Sequence, residues 1–400
     1  MGKVAEPCSL NRFEWAPPCA KGVFLLAKEL RGGYTTGSCA AAGVKAALHF
    51  YQTEEVLEQV VVASPDNEFH ITVPIEKVEM LQSGVVRVTV IKDGGDDPDV
   101  THGTKIISDV KVLADSSVRR VTGGEGVGVV TRAGLASAVG EAAINPGPKK
   151  MIERVLDDLL SVRDGVEITI QVPEGKRLAQ QTLNPMLGIE GGISILGTDG
   201  IVRPMSEDAF KESLVPQLNV IHAAGSTAAM LTPGKIGLDL AVQHFGVNPG
   251  VIAQTSNFIG YLLEQAVEVG LTEILLFGHA GKIIKVSGGI FNTHSHIADA
   301  RQEILAAYLA QMGAQRRLIE LVLAANTTES VLTPIADAGL TDVFNVLAEK
   351  ASRRAMLHVK GKLTVGTAIL ALDGRLLGFD AAAERIGKKL GWKRKLSLQE

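Results

Sequence analysis

The sequence predicts an α/β protein in two domains: an N-terminal α+β domain over residues 30–191, and a C-terminal three-layer α/β domain with a mainly parallel sheet over residues 192–400. Three patterns carry this expectation. In the first half an Ala-rich helix precedes strand-length runs of Val, Ile and Thr. In the second half short apolar runs alternate with helical stretches, as in parallel sheets covered on both faces. Asp373-Gly374 between two apolar runs signals a hairpin near the end.

Residues 1–29 read as an N-terminal extension, with Cys8 and Cys19 as free thiols too far apart for a tight metal knuckle. Next, Arg31-Gly32-Gly33-Tyr34-Thr35-Thr36-Gly37-Ser38-Cys39 opens an Ala-rich helix running to about Tyr51. Hydroxyls satisfy open N–H groups at a helix start, and glycines let a ligand approach the main chain. Such a start favours an anionic partner; an ordinary capped helix accounts for the same string. Residues 59–63, 68–74, 85–92, 105–113 and 166–172 read as strands, and 148–160 has helical apolar spacing. Beyond it, 193–196, 219–223, 251–255 and 273–277 read as short strands of the second domain, with a helix over 258–269.

Composition narrows the function. Apolar residues make up 46% and charged residues 21%, as in a soluble globular protein. A net charge of −4 argues against nucleic-acid binding. No apolar run approaches the roughly 18 residues that span a bilayer, and Glu6, Arg12 and Glu14 interrupt any signal-peptide pattern. Three cysteines fit a reducing cytoplasm, with Cys39 a small buried residue. The basic run Lys388, Lys389, Lys393, Arg394 and Lys395 reads as a solvated tail.

Several segments could carry chemistry. Four carboxylates in Asp93-Gly94-Gly95-Asp96-Asp97-Pro98-Asp99 could hold a divalent cation, cap a rigid turn, or face a cationic ligand. Gly123-Gly124-Glu125-Gly126-Val127-Gly128 could cradle an anion or simply bend. His294, His296 and Asp299 have the spacing of a transition-metal site, and equally of satisfied histidines at a helix start. Gly278-His279-Ala280-Gly281-Lys282, with Lys285 and Arg301, forms a basic region suited to carboxylates.

The opening motif from Arg31 to Cys39, the acidic loop of Asp93 to Asp99, Gly123 to Gly128, Asn145-Pro146-Gly147-Pro148, Gly191-Gly192-Ile193-Ser194-Ile195-Leu196-Gly197-Thr198-Asp199-Gly200 and the segment of His294, His296 and Asp299 resemble the cobalt-precorrin-5B C1-methyltransferase (CbiD) family of anaerobic cobalamin biosynthesis, in the family's order over residues 30–380. Two positions depart from the expected pattern: Lys235 stands in place of Asn and Asp199 in place of Thr.

The resemblance implies methyl transfer from S-adenosylmethionine to C1 of a cobalt-precorrin macrocycle. The cobalt comes with the substrate, and no protein-bound metal is expected. It places S-adenosylmethionine in the second domain, with contacts expected from Gly197, Thr198, Asp199 and Gly200 and from Pro233, Gly234 and Gly237. Arg31, Thr35, Thr36, Arg132, His279 and Lys282 are the candidate grip on the macrocycle; Asp97, His294 and His296 are candidate bases. Two other readings stay open: a metal-dependent hydrolase built on His294, His296 and Asp299, and a non-catalytic tetrapyrrole carrier. Neither nucleic acid nor membrane is an expected partner, and the oligomeric state is open, a homo-oligomer included.

Overall fold

The computed structural model describes residues 30–114, 116–161 and 163–393. The expected extension with Cys8 and Cys19, and the tail from Arg394 onward, lie outside the described residues.

The first unit is built around a five-stranded sheet in the order Lys77–Met80, Val86–Ile91, Lys105–Leu113, Gly165–Gln171, Arg119–Gly123, antiparallel except for its last pair. Of the expected strands, Gln59–Ala63 and His70–Pro74 pair with each other in a separate two-stranded sheet, and the rest join this one. The two unforeseen strands of the five-stranded sheet, Lys77–Met80 and Arg119–Gly123, are short and polar and lie at its edges, where apolar alternation is not demanded. The helix Thr36–Thr53 lies on the sheet and is buried without interruption from Thr36 to Val44. Its small residues allow this close approach: a Cβ on Gly43 would lie 2.6 Å from the Ser108 hydroxyl, which donates to the Ala40 carbonyl. Burial pushes the Cys39 thiol up to about 12, so it is inert at neutral pH. A second helix, Pro146–Leu159, packs beside the first and buries Met151, Ile152, Val155 and Leu156.

The second unit contains a five-stranded sheet in the order Ile252–Gln254, Ala228–Thr232, Glu273–His279, Thr364–Leu370, Leu376–Phe379. The first four strands are parallel, and the last closes the hairpin turned at Asp373-Gly374. Helices cover both faces. Ile274 and Leu276 of the central strand point into a core with Ile259, Leu262 and Ile283. Leu275 and Phe277 point the other way, toward Leu240, Phe245 and Trp392. Three aromatic rings meet edge to face on that side, with centroids 4.8–5.9 Å apart.

Three expectations need correction. Residues 193–196 do not join the second sheet: Ile193 and Ile195 bridge to Val127 and Ile144 and lie in the first core. Ile201–Val202 then pairs with Gly33–Tyr34, so the break expected at 191 falls inside the first unit. Residues 219–223 belong to a helix, Pro216–Ala223, because Pro216 at its first position pre-sets helical φ. The strand actually inserted there is Ala228–Thr232, all five residues buried. The units meet where Val130, Ala143, Leu187 and Ile189 pack on Val220.

Candidate active site

The chain leaves Ala228–Thr232 outward to Ile252–Gln254, then crosses back to Glu273–His279 on the other side. That reversal is a topological switch point, and open parallel sheets bind ligands in the crevice outside the carboxyl ends of their strands there. Three loops define this crevice. The first, Pro233-Gly234, leads into the helix Lys235–Gln243, whose N-terminus has no side-chain cap. A Cβ on Gly234 would meet nothing within 4 Å, so this backbone borders open space. Gly237 differs: a Cβ there would come within 3.0 Å of the Thr232 side chain, so its role is tight helix–strand packing. Thr232 itself is fully buried, and its hydroxyl has no hydrogen-bond partner.

The second loop follows Ile252–Gln254. The Thr255 amide donates to the Thr232 carbonyl, 2.8 Å, and Ser256 adopts a positive φ of 50°. This turn presents Asn257, which receives a hydrogen bond from the Lys282 ammonium, 2.6 Å.

The third loop ends the central strand. Gly278 abuts the first loop, since a Cβ there would lie 2.7 Å from Pro233 Cδ. His279 caps the helix Ala280–Ser287 through its backbone alone. Lys282 and the fully buried Lys285 both donate to the Thr293 carbonyl, 3.2 Å each. Lys285 also donates to the Ala298 carbonyl, 2.8 Å, and lies 3.4 Å from Asp299, which pairs with Arg301 at 3.0 Å. The two lysines thus fasten the segment from Thr293 to Asp299 to the crevice wall. Burial, with Lys285 and Arg301 nearby, lowers the Lys282 ammonium from its ordinary value. Burial together with Lys282 and Arg301 lowers His279 from its ordinary value.

The sequence expectations divide accordingly. Pro233, Gly234, His279 and Lys282 share the crevice. Gly197, Thr198, Asp199 and Gly200 do not; they belong to the first unit, where the glycine turn locks the helix Thr36–Thr53 in place. The Gly37 amide donates to the Leu196 carbonyl, 2.9 Å, and the Thr35 amide to the Gly200 carbonyl, 3.1 Å. A Cβ on Gly197 would lie 2.3 Å from Thr35 Oγ1. Asp199 pairs with Arg203, and Thr198 is exposed. Thr35 and Thr36 are buried: Thr35 caps the Ser38 amide, 3.2 Å, and Thr36 receives the Leu196 amide, 2.9 Å. This helix start is therefore filled by protein rather than by an anion.

Arg31 pairs with Asp93, whose carboxyl that hydrogen bond holds down to about 2. Burial alone would raise Asp99, but the Lys92 ammonium at 2.5 Å keeps it below its usual value. Asp97 accepts the Met205 amide, 2.9 Å. The acidic loop is a rigid turn. A depression of about 300 Å³ lies beside it, lined by Arg31, Tyr34, Glu76, Lys92, Asp93 and His102. Both of its cations are already paired, which weakens it as a carboxylate site. Arg132 lies over Gly188 at the junction of the units, its Nη1 donating to the Met186 carbonyl, 3.2 Å.

His294 and His296 are exposed, and His294 Nδ1 accepts the His296 amide, 3.2 Å. Asp299 is committed to Lys285 and Arg301. Among the described residues no group of three or more His, Cys, Asp or Glu side chains is arranged to hold a metal. Asn257 and Ser256 were not foreseen; neither residue carries a motif, and only the topology brings them to the crevice.

Fold and crevice together define a two-domain α/β protein of the kind that takes a small ligand at the carboxyl ends of a parallel sheet. The CbiD family model matches residues 25–204, and that of the CbiD C-terminal domain matches residues 292–381. The chain belongs to the CbiD family. The cobalt-precorrin-5B C(1)-methyltransferase of Moorella thermoacetica is 48% identical over 92% of this chain and 100% of that protein. Those of Desulfitobacterium hafniense and Methanocaldococcus jannaschii are 44% and 45% identical, over 89% and 88% of this chain and 92% and 96% of theirs. A crystal structure of the cobalamin biosynthesis protein CbiD from Archaeoglobus fulgidus is 26% identical and covers 68% of this chain and 84% of that one, with a TM-score of 0.36. No described helix is long and apolar enough to cross a membrane.

Proposed function

We propose that this chain transfers a methyl group from S-adenosylmethionine to C1 of cobalt-precorrin-5B, giving cobalt-precorrin-6A. The observation that carries the reading is 48% identity along the whole length of a relative bearing that activity in its name. The switch-point crevice fits a co-substrate that lies against backbone: Gly234 faces open space, and no side chain caps the helix N-terminus that follows it. Pro233, Gly234 and Asn257 would hold S-adenosylmethionine, which supplies an electrophilic methyl group when bound. The cobalt arrives in the macrocycle and asks no ligand of the protein.

The chain's contribution is positional. Lys282 uses two of its three N–H donors on Asn257 and Thr293, leaving one for a macrocycle carboxylate. Lys285 and Arg301 add positive field behind it in a protein of net charge −4. Holding donor and acceptor in line in a water-poor crevice lowers the barrier without a nucleophilic side chain. A carrier would have no use for the open backbone at Gly234, which supports the enzyme over that alternative. Calorimetric titration of the metal-stripped protein with S-adenosylhomocysteine tests the reading: stoichiometric binding is expected. No binding, either alone or with a cobalt corrinoid present, would defeat it.

A further inference from the structure

Methylating a ring carbon without adding net charge to the macrocycle requires that a proton leave it. We propose that His279 is the base that takes this proton, an assignment that rests on the methyltransferase reading of the switch-point crevice. The argument is geometric first. His279 is the last residue of the central strand, directly after Gly278, whose backbone packs against Pro233 of the open glycine loop. It is half-buried, and its ring lies over Gly281, where a Cβ would come within 3.2 Å of Nδ1. No hydrogen bond engages the ring among the described residues. The crevice therefore holds an imidazole that the fold uses for nothing else.

Its surroundings keep it in the form a base needs. Lys282 and Lys285 stand on its own helix, and Arg301 comes from the helix Arg301–Gln311. Asp299 is neutralised between Lys285 and Arg301. Glu329 is turned to the Leu372 amide, 2.7 Å, just beyond the neighbouring strand. The N-terminus of Ala280–Ser287 adds its positive pole, which likewise disfavours imidazolium. Burial and these cations hold His279 below the ordinary histidine value.

The step balances as follows. The electron pair at C1 forms the bond to the methyl carbon, and the carbon–sulfur bond breaks with its pair left on sulfur, so the thioether leaves neutral. The positive charge passes to the macrocycle, a C–H proton of the macrocycle moves to the free ring nitrogen of His279 while its bond pair stays in the ring and cancels that charge, and the imidazolium returns the proton to water. His294 and His296 are weaker candidates because both are exposed and the Nδ1 of His294 is already engaged.

The test uses the full chain. His279→Gln should lower kcat by about 10²–10⁴-fold, with affinity for S-adenosylhomocysteine within twofold of wild type. The acid limb of its pH–rate profile should vanish, and added imidazole should restore part of the activity of His279→Ala. Histidine NMR of the unliganded wild-type protein gives a readout independent of turnover: the His279 resonance should titrate below 6.5, the ordinary value, and Lys282→Met should move it upward. A kcat within threefold of wild type, a surviving acid limb, or no upward movement in Lys282→Met would overturn the assignment. Should wild-type protein fail to bind S-adenosylhomocysteine, the methyltransferase reading falls and this inference with it. If binding is intact and His279→Gln turns over normally, the inference alone falls.

Discussion

Gly234→Val separates binding from folding more cleanly than any other change in the crevice. A Cβ at Gly234 meets nothing within 4 Å, and its φ of 164° and ψ of −172° are extended backbone that any residue adopts. The structural cost is confined to the helix cap, where replacing Gly by Val costs about 1 kcal/mol. In a domain of this size that lowers Tm by about 2–4 °C. For a ligand lying on the backbone, the same isopropyl group occupies space the ligand needs. Forcing extra methyl groups into a filled site costs about 1–3 kcal/mol, or about 5- to 150-fold in Kd. Calorimetry with S-adenosylhomocysteine reads the affinity, and a thermal scan of the same sample reads the fold. Gly234→Ser, smaller and a good cap, should fall between wild type and Val in affinity while regaining the lost stability. An unchanged Kd with Tm lowered by no more than about 4 °C would refute the placement of the co-substrate on this loop.

Gly197→Val makes the contrasting case. Its side chain would collide with Thr35 at the helix start, so stability should fall by about 1–3 kcal/mol or more of overpacking and Tm with it, while the folded fraction binds S-adenosylhomocysteine normally. Lys282→Ala should weaken binding of a polycarboxylate cobalt corrinoid by about fivefold or more, as loss of a charge-assisted hydrogen bond does, leaving S-adenosylhomocysteine affinity within twofold; a loss confined to the co-substrate would reassign the residue. His294→Ala should retain turnover within threefold if His279 is the base, as a steady-state assay would show. Asp93 sits near 2 in the folded chain against an ordinary 3.8, chiefly through the hydrogen bond from Arg31. A lowered carboxylate contributes stability above 3.8 that is lost as pH falls through about 2. In urea unfolding the deficit of Asp93→Asn relative to wild type should therefore shrink as pH is lowered through that window; a deficit that widens would contradict the assigned pairing.

How far the sequence could be read depended on whether a segment's partners were near in the chain. Lys105–Leu113 and Gly165–Gln171 alternate buried and partly exposed residues, so their period announces them. The hairpin at Asp373-Gly374 is equally local, with Gly374 at a φ of 87°. Ala228–Thr232, the strand that makes the switch point, reads Ala-Ala-Met-Leu-Thr. Alanine disfavours strands, so only its buried place between two parallel neighbours decides its state. Residues 193–196 illustrate the reverse error. They look like an inner strand because Ile193, Ile195 and Leu196 make a mainly apolar run, yet their partners are Val127 and Ile144, in the preceding part of the chain. Of the candidate site, Gly234, His279 and Lys282 were legible as types, but Asn257 and Ser256 enter through a turn that no motif marks.

The glycine-rich strings that make the family resemblance easy to see are largely joints of the fold. Gly33 and Gly95 let the first motif and the acidic loop cross at distances no side chain permits, since a Cβ on Gly95 would lie 2.1 Å from the Arg31 carbonyl. Gly37, Gly197 and Gly200 then clamp the turn of residues 196–200 over the helix start. In this region the backbone hydrogen bonds are spent on other backbone, and little is left to offer a ligand. The second unit inverts this economy. Its loops are less distinctive in sequence, but they end in a helix with no side-chain cap, a glycine whose backbone borders open space, and the half-buried His279. Unsatisfied groups at the end of a fully buried sheet are costly unless something binds them. A folded chain that spends glycine on closure in one domain and leaves backbone open in the other fits the proposed placement of the co-substrate in the second.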